Sequence, residues 1–273
     1  MKKEQRYISS VSQYLDLINS CSNNKRKIYY RGVKSIDHMM LPGVFRSENI
    51  SDKSERELLK EFITDAVAYV DNIPTDDLFH WATIAQHHGL PTRFLDLTTN
   101  PLVALYFACL DIKGDDGAVC LLDYHYYRYN VLNDEPITIK EDPQITYKES
   151  ISNLIRNNGK GGFKYPIIIC PYNIDVRMTA QSAYFMVWGE DTRTLEEICE
   201  YYDDMYDVGL QELGIEEPLL NNTPMDKVYI KNSQKNDILK QLNSININAK
   251  TLFPGLDGIC DYLKSYSKIY YVK

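Results

Sequence analysis

The sequence has no long apolar run. Its longest unbroken one, Leu102 to Leu110, falls far short of the roughly 20 residues that span a bilayer, so no membrane partner is expected. The N-terminus carries Lys2 and Lys3 but no apolar leader core, which points to a cytoplasmic protein. Cysteine is scarce and scattered, at 21, 109, 120, 170, 199 and 260, without a CxxC pair. Buried, reduced thiols are the expectation. There is no HExxH, no GxGxxG and no Walker motif, which removes the common zinc-protease and phosphate-loop signatures. His80, His87 and His88 lie close in sequence, but no carboxylate stands among them at helical spacing, so no metal is expected. Internal repeats, low-complexity linkers and a continuous basic stripe are also missing.

What is present is ordinary globular composition: 273 residues, 44% hydrophobic and 25% charged. That length suits one large domain, and residues 1–273 are read as such. The net charge of −8 is unevenly spread. From Glu190 to Glu217 there are eleven acids and one base, Arg193, so this stretch carries −10 and the remainder is near +2. Residues 190–217 therefore read as an acidic insertion or flap, or as a solvated helical excursion. The whole-chain charge does not exclude a nucleic-acid partner.

The chain is organised around Trp81 to Leu110. A helical pattern ends at His87-His88-Gly89, where Gly89 suits the left-handed position after a helix. Pro91 blocks simple continuation. A second helix opens at Asn100-Pro101, a capping side chain followed by proline at the first helical position. From Leu102 to Leu110 no charged or amide residue occurs, the mark of a helix buried all round. The turn between the two patterns gathers His88, Thr92, Arg93, Asp96, Thr98, Thr99 and Asn100 at the start of that helix. Helix N-termini attract anions. Arg93 and Asp96, set among apolar residues, are read mainly as scaffold. Thr98, Thr99 and Asn100 are the groups expected to face a ligand, or to cap the helix. His88 is either a hydrogen-bonding or proton-carrying group at a pocket wall or a helix-end histidine.

The run H-H-G-L-P-T-R-x-L-D-x-T-x-N-P-x-x-A-L-Y-F-A resembles the core motif of the FRG domain family, named for a (Phe/Tyr)-Arg-Gly signature. That signature stands here as Tyr30-Arg31-Gly32. A third segment, Arg177-x-x-x-Gln181-x-Ala183-x-Phe185, and a fourth, Leu252-Phe-Pro-Gly-Leu-Asp-Gly258, also look like the family's. The resemblance runs from Tyr30 to Leu263 and implies a single FRG-type domain.

Along the rest of the chain, Gln5 to Asn19 shows helical spacing. Lys27 to Tyr30 reads as a strand delivering Arg31, whose planar fork can hold a phosphate, and Gly32, which would let a ligand approach the backbone. The alternative for Arg31 is a structural pair with a carboxylate such as Asp96. Ser54-x-x-Glu57 is a capping box that opens a helix to about Val70, and Thr75 is expected to cap the next. Strands are expected at Gly117–Asp123, Pro166–Pro171, in or around Met178–Trp188 bearing Gln181, at Lys227–Ile230 and at Ile269–Val272. The aromatic stretch Tyr124–Tyr129 reads as a half-exposed sheet face or a stacking surface. Helices precede strands, so the expected fold is α+β: a helical N-terminal part packed on a mostly antiparallel sheet.

Arg31 on an early strand, Thr98-Thr99 before an apolar helix and a polar residue on a later strand are similar to the ADP-ribosyltransferase pattern. That similarity implies an ADP-ribosyltransferase-like sheet and NAD as cofactor. It places Arg31 on the dinucleotide and the threonines on the ribose. Gln181 stands where those enzymes carry a catalytic Glu, and an amide cannot supply that charge. Two functions are therefore carried forward. One is a nucleotide-handling enzyme, with NAD glycohydrolase or transferase chemistry on a nucleic-acid or protein acceptor in a toxin or phage-defence setting, using His88 and Gln181. The other is a nucleotide- or nucleic-acid-sensing module without turnover.

Overall fold

Residues 5–21, 27–46, 53–132, 143–170, 176–202 and 223–271 are described by a computed structural model of the protein. The strands are β1 (Arg6–Ile8), β2 (Ile28–Val33), β3 (Phe94–Thr98), β4 (Gly117–Asp123), β5 (Ile167–Ile169), β6 (Ala183–Val187) and β7 (Met225–Ile230). They form one sheet in the order β1-β7-β4-β2-β3-β6-β5. β1 runs parallel to β7, and every other pairing is antiparallel. The α+β expectation holds.

The helices are α1 (Val11–Cys21), α2 (Glu55–Ala66), α3 (Leu78–His87), α4 (Pro101–Cys109), α5 (Tyr124–Tyr126), α6 (Pro143–Arg156), α7 (Val176–Ala180), α8 (Leu195–Glu200), α9 (Asn232–Ser244), α10 (Ala249–Leu252) and α11 (Leu256–Tyr271). Strand alternation sends neighbouring residues to opposite faces. Tyr30, Val119, Leu121 and Val228 join the core beneath α1, α4 and α9. Tyr29, Cys120, Leu122 and Trp188 join the opposite core, with α8. A third cluster packs α2, α3 and α6 on Phe94, Phe185 and Val187.

α4 is the buried helix its composition demanded. Asn100 Oδ1 accepts from Leu102 N at 3.0 Å and Pro101 opens the first turn. Gly32 of β2 lies directly beneath it: a Cβ there would stand 2.0 Å from the carbonyl oxygen of Ala104. At the other end of the focal stretch Gly89 has φ +87°, and the N–H of Leu90 bonds the carbonyl of Ala85 across the turn.

Several sequence expectations change. The residues from Arg6 to Ile8 are a strand, because pairing with β7 outweighs their helical spacing. β3 was not foreseen; the polar stretch before α4 is a strand with one open position, Asp96. β2 continues through Arg31 and Gly32 instead of stopping before them. Asp77, not Thr75, caps α3. Gln181 lies in the turn between α7 and β6, not on a strand. Ile269–Tyr271 continues α11. The stretch from Tyr124 is helical and not a sheet face: Tyr126 and Tyr127 are buried, donating to Tyr202 O and Pro166 O, while His125 and Arg128 are exposed. Of the acidic stretch, residues 190–202 are described: α8 opens on a Thr194–Glu197 capping box and buries Leu195, Ile198 and Cys199. Residues 203–217 lie outside the described residues. No helix among the described residues is long and apolar enough to cross a membrane.

Two core thiols make a pH prediction. Cys109 on α4 and Cys120 on β4 are buried, and burial pushes each up to about 12 from 9.0. A raised folded value means that the unfolded state loses the proton first. The associated stability is complete below pH 9 and drains as pH rises toward 12. Between pH 9 and 10 the loss is about 1 kcal/mol per thiol, a fall in Tm of about 4 °C for the pair. Thermal melts of the wild type across that range should show it, and Cys109→Ala/Cys120→Ala should flatten the slope.

Candidate functional site

Strands β2 and β3 share one register pair, Tyr30 with Thr98, against the six that join β2 to β4. Beyond that rung the two strands part, and a cleft of about 460 Å³ opens in the gap. Its walls come from Tyr30–Lys34, the following loop at His38 and Arg46, the end of α3, β3, α4, the α7–β6 turn and Phe253. All four segments of the sequence resemblance contribute to it.

Arg31 reaches across the split. Its Nη1 donates to Asp96 O at 2.5 Å, a backbone carbonyl left without a partner strand, and lies 3.8 Å from Asp96 Oδ2. Its Nε is buried and has no hydrogen-bond partner. Burial lowers the Arg31 pKa, Arg46 lowers it further, and Asp96 opposes both; the guanidinium stays charged at neutral pH. The Asp96 side chain is 57% exposed, so it faces the cleft and is not the buried scaffold residue expected. Gln86 of α3 braces it: Nε2 donates to Asp96 Oδ2 at 3.1 Å, while Oε1 accepts from Thr92 Oγ1 at 2.7 Å. Among the described residues the lining holds Arg31, Lys34, Arg46, Arg177 and Asp96, beside an apolar wall of Val103, Phe107, Phe185 and Phe253.

The other sequence candidates divide. Tyr30 and Thr98 line the cleft. Thr98 Oγ1 donates to Gln181 O at 2.7 Å and accepts from Asn100 N at 2.9 Å. Gln181 lines the cleft too, its Nε2 donating to Leu252 O at 2.9 Å. Gly32 borders the cleft, but the close approach it permits is that of α4. Thr92 and Arg93 are buried away from it. Arg93 Nε and Nη2 hold Glu55 Oε2 at 2.9 and 2.8 Å, and Nη1 donates to Trp188 O at 3.1 Å. Arg93 is therefore scaffold, as expected, with Glu55 as its partner. Thr99 and Asn100 stand outside the cleft lining, and Asn100 is the cap of α4.

His88 is an exposed C-cap residue of α3 and is not in the lining. The neighbouring His87 is, with its Nε2 against Arg177 Nη2. One residue is about 100° of helical rotation, which turns His87 toward the cleft and His88 away from it. Gln86, Arg46 and Lys34 carried no sequence signal. Phe107, Arg177 and Phe253 did, within the second, third and fourth segments of the resemblance. Among the described residues no group of three or more His, Cys, Asp or Glu gathers to hold a metal ion.

No curated protein and no solved structure matches the chain. A family model does: the FRG domain, over residues 26–117. The matched region takes in β2, α2, α3, β3 and α4 and ends at the first residue of β4; Arg177, Gln181 and Phe253 lie beyond it. What the comparison shows is therefore an FRG domain match confined to residues 26–117.

Proposed function

We propose that the cleft binds a phosphorylated nucleotide. The observation that carries this reading is the buried Nε of Arg31, which has no hydrogen-bond partner at the wall of the cleft. A guanidinium N–H buried without an acceptor calls for one, and phosphate suits the planar fork. The phenylalanines beside it suit a flat ring. NAD, ADP and related nucleotides carry both features.

Titration calorimetry with ADP and NAD tests the reading. Wild-type protein should bind, and Arg31→Ala should weaken binding about tenfold or more, the scale of a charge-assisted hydrogen bond. Arg31→Lys should not restore it, because an ammonium cannot reproduce the fork. Wild-type protein that binds neither nucleotide would end the proposal.

A second reading adds turnover, and Asp96 favours it. This exposed carboxylate beside Arg31 can stabilise a cationic transition state where Gln181 cannot. It would support NAD glycohydrolase or ADP-ribosyl-transfer chemistry in a toxin or phage-defence setting, with water, a protein or a nucleic acid as acceptor. Mass spectrometry of NAD incubated with pure protein, with and without nucleic acid and lysate, separates the two. Nicotinamide released by the wild type and lost in Asp96→Asn supports turnover. Intact NAD in every sample supports binding alone.

A further inference from the structure

The cleft lining combines two groups of unlike chemistry, one basic and one aromatic. Lys34, His38 and Arg46 come from the segment that follows β2. Phe107 of α4 and Phe253 just after α10 stand edge to face, with ring centroids 5.9 Å apart and planes 85° apart. Two rings at right angles make a corner, in which a third flat ring can stack on one face and meet the other edge-on. Both phenylalanines are only partly buried, so ring surface stays open at the cleft.

Gln181 sets where that corner stands. Its backbone N–H bonds Arg177 O at 2.9 Å, and its backbone carbonyl accepts from Thr98 Oγ1 at 2.7 Å. These two contacts fix the residue against α7 and β3. From that position the side-chain Nε2 donates to Leu252 O at 2.9 Å, holding the carbonyl immediately before Phe253. The amide thus has a demanding partner already, and its work is to position Phe253.

We propose that the Phe107–Phe253 corner takes the base of the bound nucleotide, with Gln181 as its positioning residue. The inference rests on the reading of the cleft as a nucleotide site. The ring lies at the corner, and the phosphates extend toward Arg31 and Arg46. The ligand class is an aromatic ring joined to a phosphorylated tail, in which the tail alone satisfies only the basic group.

Calorimetry with two probes, ADP and inorganic pyrophosphate, tests this on wild type, Phe253→Ala, Phe253→Trp and Gln181→Ala. Phe253→Ala should weaken ADP about tenfold, the scale of losing a stacked base, and leave pyrophosphate affinity unchanged. Phe253→Trp keeps a ring face and should retain ADP binding. Gln181→Ala should give the same split as Phe253→Ala, which a general loss of structure would not. If Phe253→Ala binds ADP as the wild type does, the base sits elsewhere and the inference falls, while the nucleotide reading stands. If ADP and pyrophosphate weaken together, the assignment of separate base and phosphate contacts is wrong. If wild-type protein binds no ADP, both fall.

Discussion

Gly32→Ala is expected to cost at least about 3 kcal/mol, through one added methyl group. Overpacking of a core typically costs less than that, but usually because a side chain can turn aside. Here the Cβ would meet backbone: Ala104 O at 2.0 Å and Ala108 N at 2.6 Å, with Phe107 Cβ at 2.9 Å. No rotamer change relieves a clash with a helix backbone, so α4 must lift off β2. The expected result is a Tm lower by at least about 6 °C, or failure to accumulate folded protein. Differential scanning calorimetry against the wild type checks it. A variant that melts within a degree or two of the wild type would mean that α4 shifts freely, and that Gly32 has some other purpose. Because Phe107 rides on α4, a folded Gly32→Ala protein should also bind ADP poorly.

Arg93→Ala is expected to be nearly as damaging, at about 3–5 kcal/mol, the usual cost of breaking a buried ion pair by removing one partner. Arg93 is 2% exposed and joins three elements: the first residue of α2 through Glu55, the start of β3 through its own backbone, and the end of β6 through Trp188 O. Its removal leaves a carboxylate and a carbonyl in a dry place. Arg93→Lys should recover little, since a point charge cannot serve both partners. Glu55→Gln/Arg93→Met, which removes the charges together, should be milder than Arg93→Ala. Urea unfolding of the set gives the ordering, and near-equal midpoints for all of them would refute the account. Although Arg31 and Arg93 are both arginines in the matched region, they are expected to fail differently: Arg31→Ala loses ligand, Arg93→Ala loses fold.

Features that depend on neighbours in sequence were legible before the structure. The Ser54–Glu57 capping box, the Asn100-Pro101 start of α4, its burial and the turn at Gly89 all follow from local chemistry. Features that depend on partners far along the chain were not. β1 looks helical until β7 supplies its hydrogen bonds. β3 was hidden because Asp96 and Thr98, polar on one face, look like loop residues; the β2–β3 split exposes Asp96, while Thr98, buried at the rung, donates its hydroxyl to Gln181 O. The choice between His87 and His88 turns on where α3 ends. Gly32 was read correctly as a point of close approach but assigned to a ligand, when the approaching group is α4.

The single rung between Tyr30 and Thr98 gives the sheet a mechanical character of its own. On one side stands the plate β1-β7-β4-β2, on the other β3-β6-β5, and their shared edge is closer to a hinge than to a weld. Gln86, Asp96 and Arg31 act as a latch of side chains in place of the missing ladder. A molecule lodged in the gap, gripping Arg31 on one plate and Thr98 or Gln181 on the other, would behave as a substitute strand. Its occupancy would be felt as stiffness across the whole sheet.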